Sequence, residues 1–388
     1  MIKRNFLILT VVLLFVLNSL LAQEPMDQIS LGHTLKITSE PLNEDRTVMV
    51  YLPIGYFESE KEYPVLYLLD GGGHFHHGSG IVQFLSMNGL MPQTIVVAIP
   101  NTARMRDFTP SVVEGRANSG GGDNFLKFLQ NELIPVIDTK YRTHQYRILF
   151  GHSLTAMFSV YTFVTHPDLF DAYIAASPYM QYDNGFVINK AKDLLSEESV
   201  NNKTLYMTIG DEPAYVEPMK NFTDILVDLD ASGLEWKFVP MKSENHGTVP
   251  HKTIYDGLEF IFSGWRIPAD QTKDLASIQK HYTSLSHKFG FTVSPAEFVL
   301  NRLGYQIMGN KEYANAIEIF QTNVKIYPNS SNVYDSLGEA YEKSGDLELA
   351  VENYEIAVEK GRKVSSPNLQ VYEENLNRAI SLISGSTQ

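Results

Sequence analysis

Over the first two thirds of the chain, short apolar runs alternate with amphipathic stretches, and then the pattern changes. Residues 47–52 alternate apolar and polar positions, as a strand with one covered face does, whereas residues 64–69 are continuously apolar, as in a strand covered on both faces. Residues 93–99 and 146–150 share that character, and 205–209 and 236–241 read as further strands. Between them, residues 124–137 carry Phe125, Phe128, Leu129 and Ile134 at helical spacing, closed by Pro135 and the loop before Tyr141; residues 156–165 and 253–262 also read as helices. Strands alternating with helices imply right-handed crossovers and a mostly parallel sheet, hence an α/β fold with helices on its flanks. Ligands of such sheets sit at the carboxyl ends of the strands.

Beyond Pro268 the strand signals fade and a helical pattern continues. Leu300, Leu303, Gly304, Ile307, Ala316 and Phe320 recur 34 positions later as Tyr334, Leu337, Gly338, Tyr341, Ala350 and Tyr354, with Pro328 ending the first unit. That period and that order of large, small and aromatic positions are the tetratricopeptide signature. It predicts repeats at about 297–330 and 331–364, between helices at 275–289 and 369–383. Two repeats fall short of the three or more that normally make a stable stack. Either the flanking helices cap them or the array leans on the preceding domain. A stabilising or dimerising appendage and a groove for a protein partner are both open.

The first 22 residues read as an export signal: Lys3 and Arg4, an apolar run over 6–16, and small residues before Gln23. A retained membrane span would need about 20 apolar residues, and Asn18 with Ser19 interrupts the run. The predicted organisation is therefore a signal at 1–22, an α/β domain at 23–267 and an all-α domain at 268–388, in a bacterial protein that is periplasmic or secreted. The chain has no cysteine, which excludes a disulfide framework and a lipid-anchored amino terminus. Its formal charge of −14 becomes more negative without Lys3 and Arg4. Such a balance argues against nucleic acid or an anionic membrane surface as partner.

Candidate chemistry centres on the segment after strand residues 148–150. Gly151-His152-Ser153-Leu154-Thr155 followed by a helical stretch is the context of a nucleophile elbow, in which a sharp strand-to-helix turn lifts a serine hydroxyl above the sheet edge. Thr155 stands where the pattern has its final glycine, and its Cβ and hydroxyl are expected to cost space and shift the turn. A serine hydroxyl needs a base, and the order in this fold is serine, acid, histidine. His246, in the loop leaving residues 236–241, is the best placed; His251, at the start of a helix, is its rival. The acid is expected after residues 205–209, where Glu212 is preferred and Asp211 and Glu217 are the alternatives. Donors for an oxyanion are expected from the backbone N–H of Leu154 and of Gly72, in the loop Asp70-Gly71-Gly72-Gly73. His74, His76 and His77 follow in that loop without a carboxylate or cysteine at ligand spacing, so they read as pocket lining or surface and not as a metal site. No cofactor is implied.

These residues resemble the esterase family of α/β-hydrolases that includes enterochelin, feruloyl and acetyl-xylan esterases, S-formylglutathione hydrolases and mycolyltransferases. The similar segments are Tyr67-Leu68-Leu69-Asp70-Gly71, Ile99-Pro100-Asn101 with Arg104-Met105-Arg106-Asp107, Glu132 to Pro135, the Ser153 elbow, Ser177-Pro178, Gly210-Asp211-Glu212-Pro213 and His246-Gly247. The resemblance implies a serine ester hydrolase acting on small-molecule or polysaccharide-linked esters, with Ser153 as nucleophile, His246 as base, Glu212 as acid, and Gly72 and Leu154 as oxyanion donors. Its Gly-x-x-Glu-Pro pattern is one residue longer than Gly210 to Pro213, which leaves the acid open. The rival expectations are acyl transfer to another alcohol on the same fold, and a non-catalytic binding protein acting through its tail.

Overall fold

The computed structural model describes residues 30–57 and 60–386, so the expected export signal lies outside the described residues. Eight strands form one sheet: β1 (His33–Ser39), β2 (Glu44–Tyr51), β3 (Tyr63–Leu68), β4 (Ile95–Ala98), β5 (Thr143–His152), β6 (Ala172–Ala176), β7 (Lys203–Ile209) and β8 (Leu234–Pro240). Their spatial order is β1-β2-β4-β3-β5-β6-β7-β8. β1–β2 and β2–β4 pair antiparallel, and the rest pair parallel. β1 and β6 go beyond the strands expected from the sequence.

The helices of this part are α1 (Gly71–Met87), α2 (Arg104–Phe108), α3 (Gly122–Phe128), α4 (Ile134–Lys140), α5 (Leu154–Thr165), α6 (Phe186–Leu194), α7 (Pro213–Leu229) and α8 (Val249–Ile261). Two differences from the expected pattern have local causes. The segment expected to close at Pro135 runs on to Lys140, because a π-helical turn at Leu129–Leu133 absorbs the hydrogen bond that proline cannot donate. The three glycines after Asp70 open α1 and are not a free loop. Poor helix formers are tolerated in a first turn, whose N–H groups have no intrahelical partner.

Side chains alternate across the central strands. Val65, Tyr67 and Leu69 enter one core with Leu149 and Met207; Leu66 and Leu68 enter the other with Ile148 and Phe150. Both faces are thus covered, which is why these strands read as continuous apolar runs. The parallel strands β3, β5, β6, β7 and β8 all end at one edge, which collects the segments carrying Asp70, Ser153, Ser177, Glu212 and His246.

The carboxyl-terminal region is all helical: α9 (Leu275–Phe289), α10 (Glu297–Gly309), α11 (Tyr313–Ile326), α12 (Ser331–Ser344), α13 (Leu347–Lys363) and α14 (Leu369–Ser386). α10–α11 and α12–α13 repeat one contact. A Cβ on Gly304 would lie 2.5 Å from the Phe320 ring, and one on Gly338 would lie 2.8 Å from the Tyr354 ring, so each glycine lets an aromatic of the next helix close in. Pro268 does not interrupt the core. Ile278, Tyr282, Leu285 and Phe289 of α9 share a cluster with Ile148, Phe150 and Phe262. The Phe289 ring lies 5.3 Å from Tyr146, 5.2 Å from Phe262 and 5.7 Å from Trp265.

This seam gives a test. Phe289→Ala should lower unfolding free energy by about 3–5 kcal/mol, the range for deleting a buried phenylalanine, measured by urea unfolding. Any activity of the elbow at Ser153 should stay within about twofold in the folded protein, since Tyr146 lies near the beginning of β5, away from the edge that carries Ser153. A loss under about 1 kcal/mol would show that the helical region is held elsewhere.

Candidate active site

Ser153 links β5 to α5 at φ 61° and ψ −114°, a conformation that costs a non-glycine residue about 1–3 kcal/mol. Surrounding bonds hold it there: its N–H donates to Ala176 O (2.9 Å), and its carbonyl accepts from the amides of Met157 (3.0 Å) and Tyr179 (3.1 Å). Gly151 is where the turn needs a missing side chain, because a Cβ there would stand 2.2 Å from Thr155 O. Thr155 is different from what its sequence position suggests. Its side chain is fully buried, yet the hydroxyl is bonded on every side and not merely tolerated.

Asp70, at φ 53°, precedes α1 and accepts from four groups. Arg104 reaches it with Nε (2.9 Å) and Nη2 (3.0 Å), the Thr155 hydroxyl with 2.8 Å, and the Asn101 amide completes the set. Burial pushes the Asp70 carboxyl upward, but Arg104, through its bonds and charge, holds it below the ordinary range with help from Asn101 and Thr155. Arg104 is carried by α2, whose neighbouring Asp107 is buried and paired with Arg46 and Arg106. The Arg104-Met105-Arg106-Asp107 segment therefore both anchors its own turn and presents a cation to Asp70.

His246 lies in the loop between β8 and α8, and its Nδ1 is hydrogen-bonded to Glu212 Oε1. The Ser177 hydroxyl donates to the other Glu212 oxygen, as does the Gly210 amide at 2.8 Å. Burial raises the Glu212 carboxyl, and the bonds from Ser177, His246 and Gly210 outweigh it and leave it below its ordinary value. Glu212 is the residue before α7, where the following Pro213 disfavours helical backbone. The other two carboxylates are not brought to the histidine: Asp211 is exposed, and Glu217 lies exposed within α7 and not at its start. His251 is on α8, with its ring 5.2 Å from His77.

Among the described residues no hydrogen bond joins the Ser153 hydroxyl to His246. The Tyr215 ring is 5.7 Å from His246. The His152 ring packs on His246 at 4.6 Å. Leu154 and Gly72 both occupy first turns of helices, so their N–H groups have no intrahelical acceptor. The Gly71 and Gly73 amides are taken by Ile99 O and Asp70 O, each at 2.9 Å, while Gly72 makes neither bond.

Behind this edge His74 Nδ1 and His77 Nε2 are 2.9 Å apart, and burial pulls His74, His77 and His152 down to about 4, so all three are neutral imidazoles at neutral pH. Among the described residues no group of three or more His, Asp or Glu is arranged to hold a metal ion. The placement of Ser177 on Glu212, and of Tyr215 and His152 beside His246, was not legible in the sequence. Ser177-Pro178 after an apolar run was the one available signal for a polar group at a strand end.

A family model described as "Putative esterase" matches residues 39–225. The ferri-bacillibactin esterase BesA of Bacillus subtilis is 28% identical over 254 residues, which cover 56% of this chain and 86% of that protein. The uncharacterized protein YjcH of Bacillus subtilis is 30% identical over 183 residues, 45% of this chain and 70% of that protein. Among solved structures, an IroE-like serine hydrolase from Shewanella oneidensis is similar at 28% identity and a TM-score of 0.66, covering 76% of this chain and 99% of that one.

The Asp70 site predicts a pH effect of definite sign. Its folded-state acidity lies below the ordinary 3.8, so its contribution is complete above about pH 4 and is lost as pH falls through the folded value. Asp70→Asn should therefore flatten the acid limb of stability against pH, by at most about one proton taken up on unfolding. Urea unfolding of both proteins from pH 5 down to the acid limit checks this; parallel curves would show that Asp70 is not held acidic.

Proposed function

Because the chain belongs to the esterase family of α/β-hydrolases and is a carboxylic ester hydrolase, we propose that it works as a serine esterase through an acyl-enzyme on Ser153. His246 takes the serine proton as Ser153 attacks the ester carbonyl and returns it to the leaving alcohol. Water, activated by the same histidine, then releases the acid. Glu212 fixes the His246 tautomer and stabilises its protonated form. The amides of Leu154 and Gly72 hold the oxyanion. The observation that carries this reading is the bond from His246 Nδ1 to a Glu212 carboxylate satisfied on its other oxygen, beside a serine on a strained strand-to-helix turn.

The substrate is proposed to be a small-molecule ester of the siderophore kind, in line with the name of BesA. An aromatic wall supports it. The Tyr215 ring is 6.2 Å from Tyr179, and the exposed Arg116 guanidinium lies 5.9 Å from the Tyr179 ring. Such a surface suits phenolic groups carrying negative charge. We further propose that the protein is exported on cleavage of residues 1–22 and acts in the periplasm or outside the cell. Among the described residues no helix is long and apolar enough to cross a membrane. The two-domain division at Pro268, with α10 to α13 as two tetratricopeptide repeats, is part of this reading.

Ser153→Ala should abolish hydrolysis of an activated ester and labelling by a fluorophosphonate probe, with the fold intact. Glu212→Gln should lower kcat by about two orders of magnitude, while Asp211→Asn and Glu217→Gln cost less than about tenfold. Retention of more than about a tenth of the activity by Ser153→Ala would overturn the assignment. A panel of siderophore, phenolic and simple acyl esters, compared by kcat/KM, tests the substrate class.

A further inference from the structure

We propose that Thr155 is a positioning residue for the oxyanion hole. It takes the place of the glycine expected at the end of the elbow motif, and its hydroxyl is the link between the two backbone segments that hold the oxyanion donors. This rests on the reading of Ser153 as nucleophile and of Leu154 and Gly72 as those donors.

The geometry is specific. The His152 amide donates to Thr155 Oγ1 at 2.8 Å, and Thr155 Oγ1 lies 2.8 Å from Asp70 Oδ2 and 2.9 Å from His152 O. A hydroxyl has one hydrogen, and the ionised carboxylate is the stronger acceptor. The hydrogen therefore goes to Asp70, and the His152 carbonyl is left to accept from Arg104 Nη2 at 3.2 Å. Both backbone polar groups of His152 are thereby fixed, one by Thr155 directly and one by the arginine that Asp70 holds. His152 immediately precedes Ser153, and Leu154 follows it. Asp70 precedes the first turn of α1, which presents Gly72. The path from one donor segment to the other is thus a side-chain hydroxyl and a single carboxylate; Thr155 is fully buried and the Asp70 side chain is 12% exposed.

A hydroxyl in that position sets the distance between two backbone segments that belong to different strands. A glycine there would leave the His152 amide without this acceptor and Asp70 with one donor fewer. Donors to an oxyanion act only when preorganised, and small misplacements of catalytic groups cost up to about a hundredfold in rate.

The test compares Thr155→Val, which keeps the shape without the hydroxyl, with Thr155→Ser, which keeps the hydroxyl, and Thr155→Gly. Each is measured for kcat and KM on an activated ester and for inhibition by a boronic acid, whose tetrahedral adduct on serine fills the oxyanion position. Thr155→Val and Thr155→Gly should lower kcat and weaken boronate binding by about tenfold to a hundredfold, with KM changed less than about threefold, and Thr155→Ser should restore both. A residue that only stabilised the fold would move the melting temperature and leave these ratios alone. Wild-type kcat and boronate affinity in either folded hydroxyl-free variant overturns the proposal; if the valine variant does not fold, the glycine variant decides. Should Ser153→Ala remain active, the underlying reading fails. Should Ser153→Ala be inactive while Thr155→Val and Thr155→Gly behave as wild type, only this inference fails.

Discussion

The conformation of Ser153 is the constraint around which the carboxyl-terminal edge of the sheet is arranged. A non-glycine residue at φ 61° and ψ −114° persists only where its surroundings over-determine it. Here the determination is almost wholly backbone. β5 is buried on both sides, β6 supplies the acceptor for the Ser153 amide, and α5 and the segment after Ser177 supply the donors for its carbonyl. The absent side chain of Gly151 lets the helix begin directly over the strand. A parallel sheet covered on both faces is what makes such a turn affordable, since no single contact carries the strain.

Two carboxylates at this edge are held acidic by different means, and the difference separates scaffold from chemistry. Asp70 faces a permanent cation, Arg104, together with neutral donors. The bonds and charge of Arg104 hold it below the ordinary carboxylate range against the upward push of burial. Among the described residues no arginine or lysine pairs with Glu212; a hydroxyl, an amide and the His246 ring satisfy it. A carboxylate whose only ionisable partner is an imidazole stabilises that ring when a proton arrives and releases it when the proton leaves. A carboxylate is thus tied to a permanent charge in one loop and to an imidazole in the other.

Much of this was legible in the sequence, and the failures have physical reasons. The doubly covered strands announced themselves as continuous apolar runs, and the 34-residue recurrence marked the helix pairs. β6 did not, because Ala172-Tyr173-Ile174-Ala175-Ala176 is rich in alanine, a helix former whose strand conformation is imposed by β5 and β7. β1 is an edge strand with several exposed positions, so its pattern is weak. Ser153 and His246 could be located from element order alone. Which of Asp211, Glu212 and Glu217 meets the histidine could not, since it depends on a turn pinned from another segment, where the Asp211 amide donates to Glu244 O at 2.7 Å. Thr155 looked like a steric burden because its partner, Asp70, is 85 positions away.

The aromatic seam at Phe289 bears on how the molecule comes to be folded. A chain emerges from its amino terminus at about 5–20 residues per second, so all eight strands and the segments carrying Asp70, Ser153, Glu212 and His246 exist before α9 does. During that interval Tyr146, Phe262 and Trp265 lack the ring that later covers them. A sheet region without α9 would therefore carry an open apolar patch on the flank lined by Tyr146, Phe262 and Trp265. Because α9 belongs to the same molecule, it meets that surface at high effective concentration and covers it.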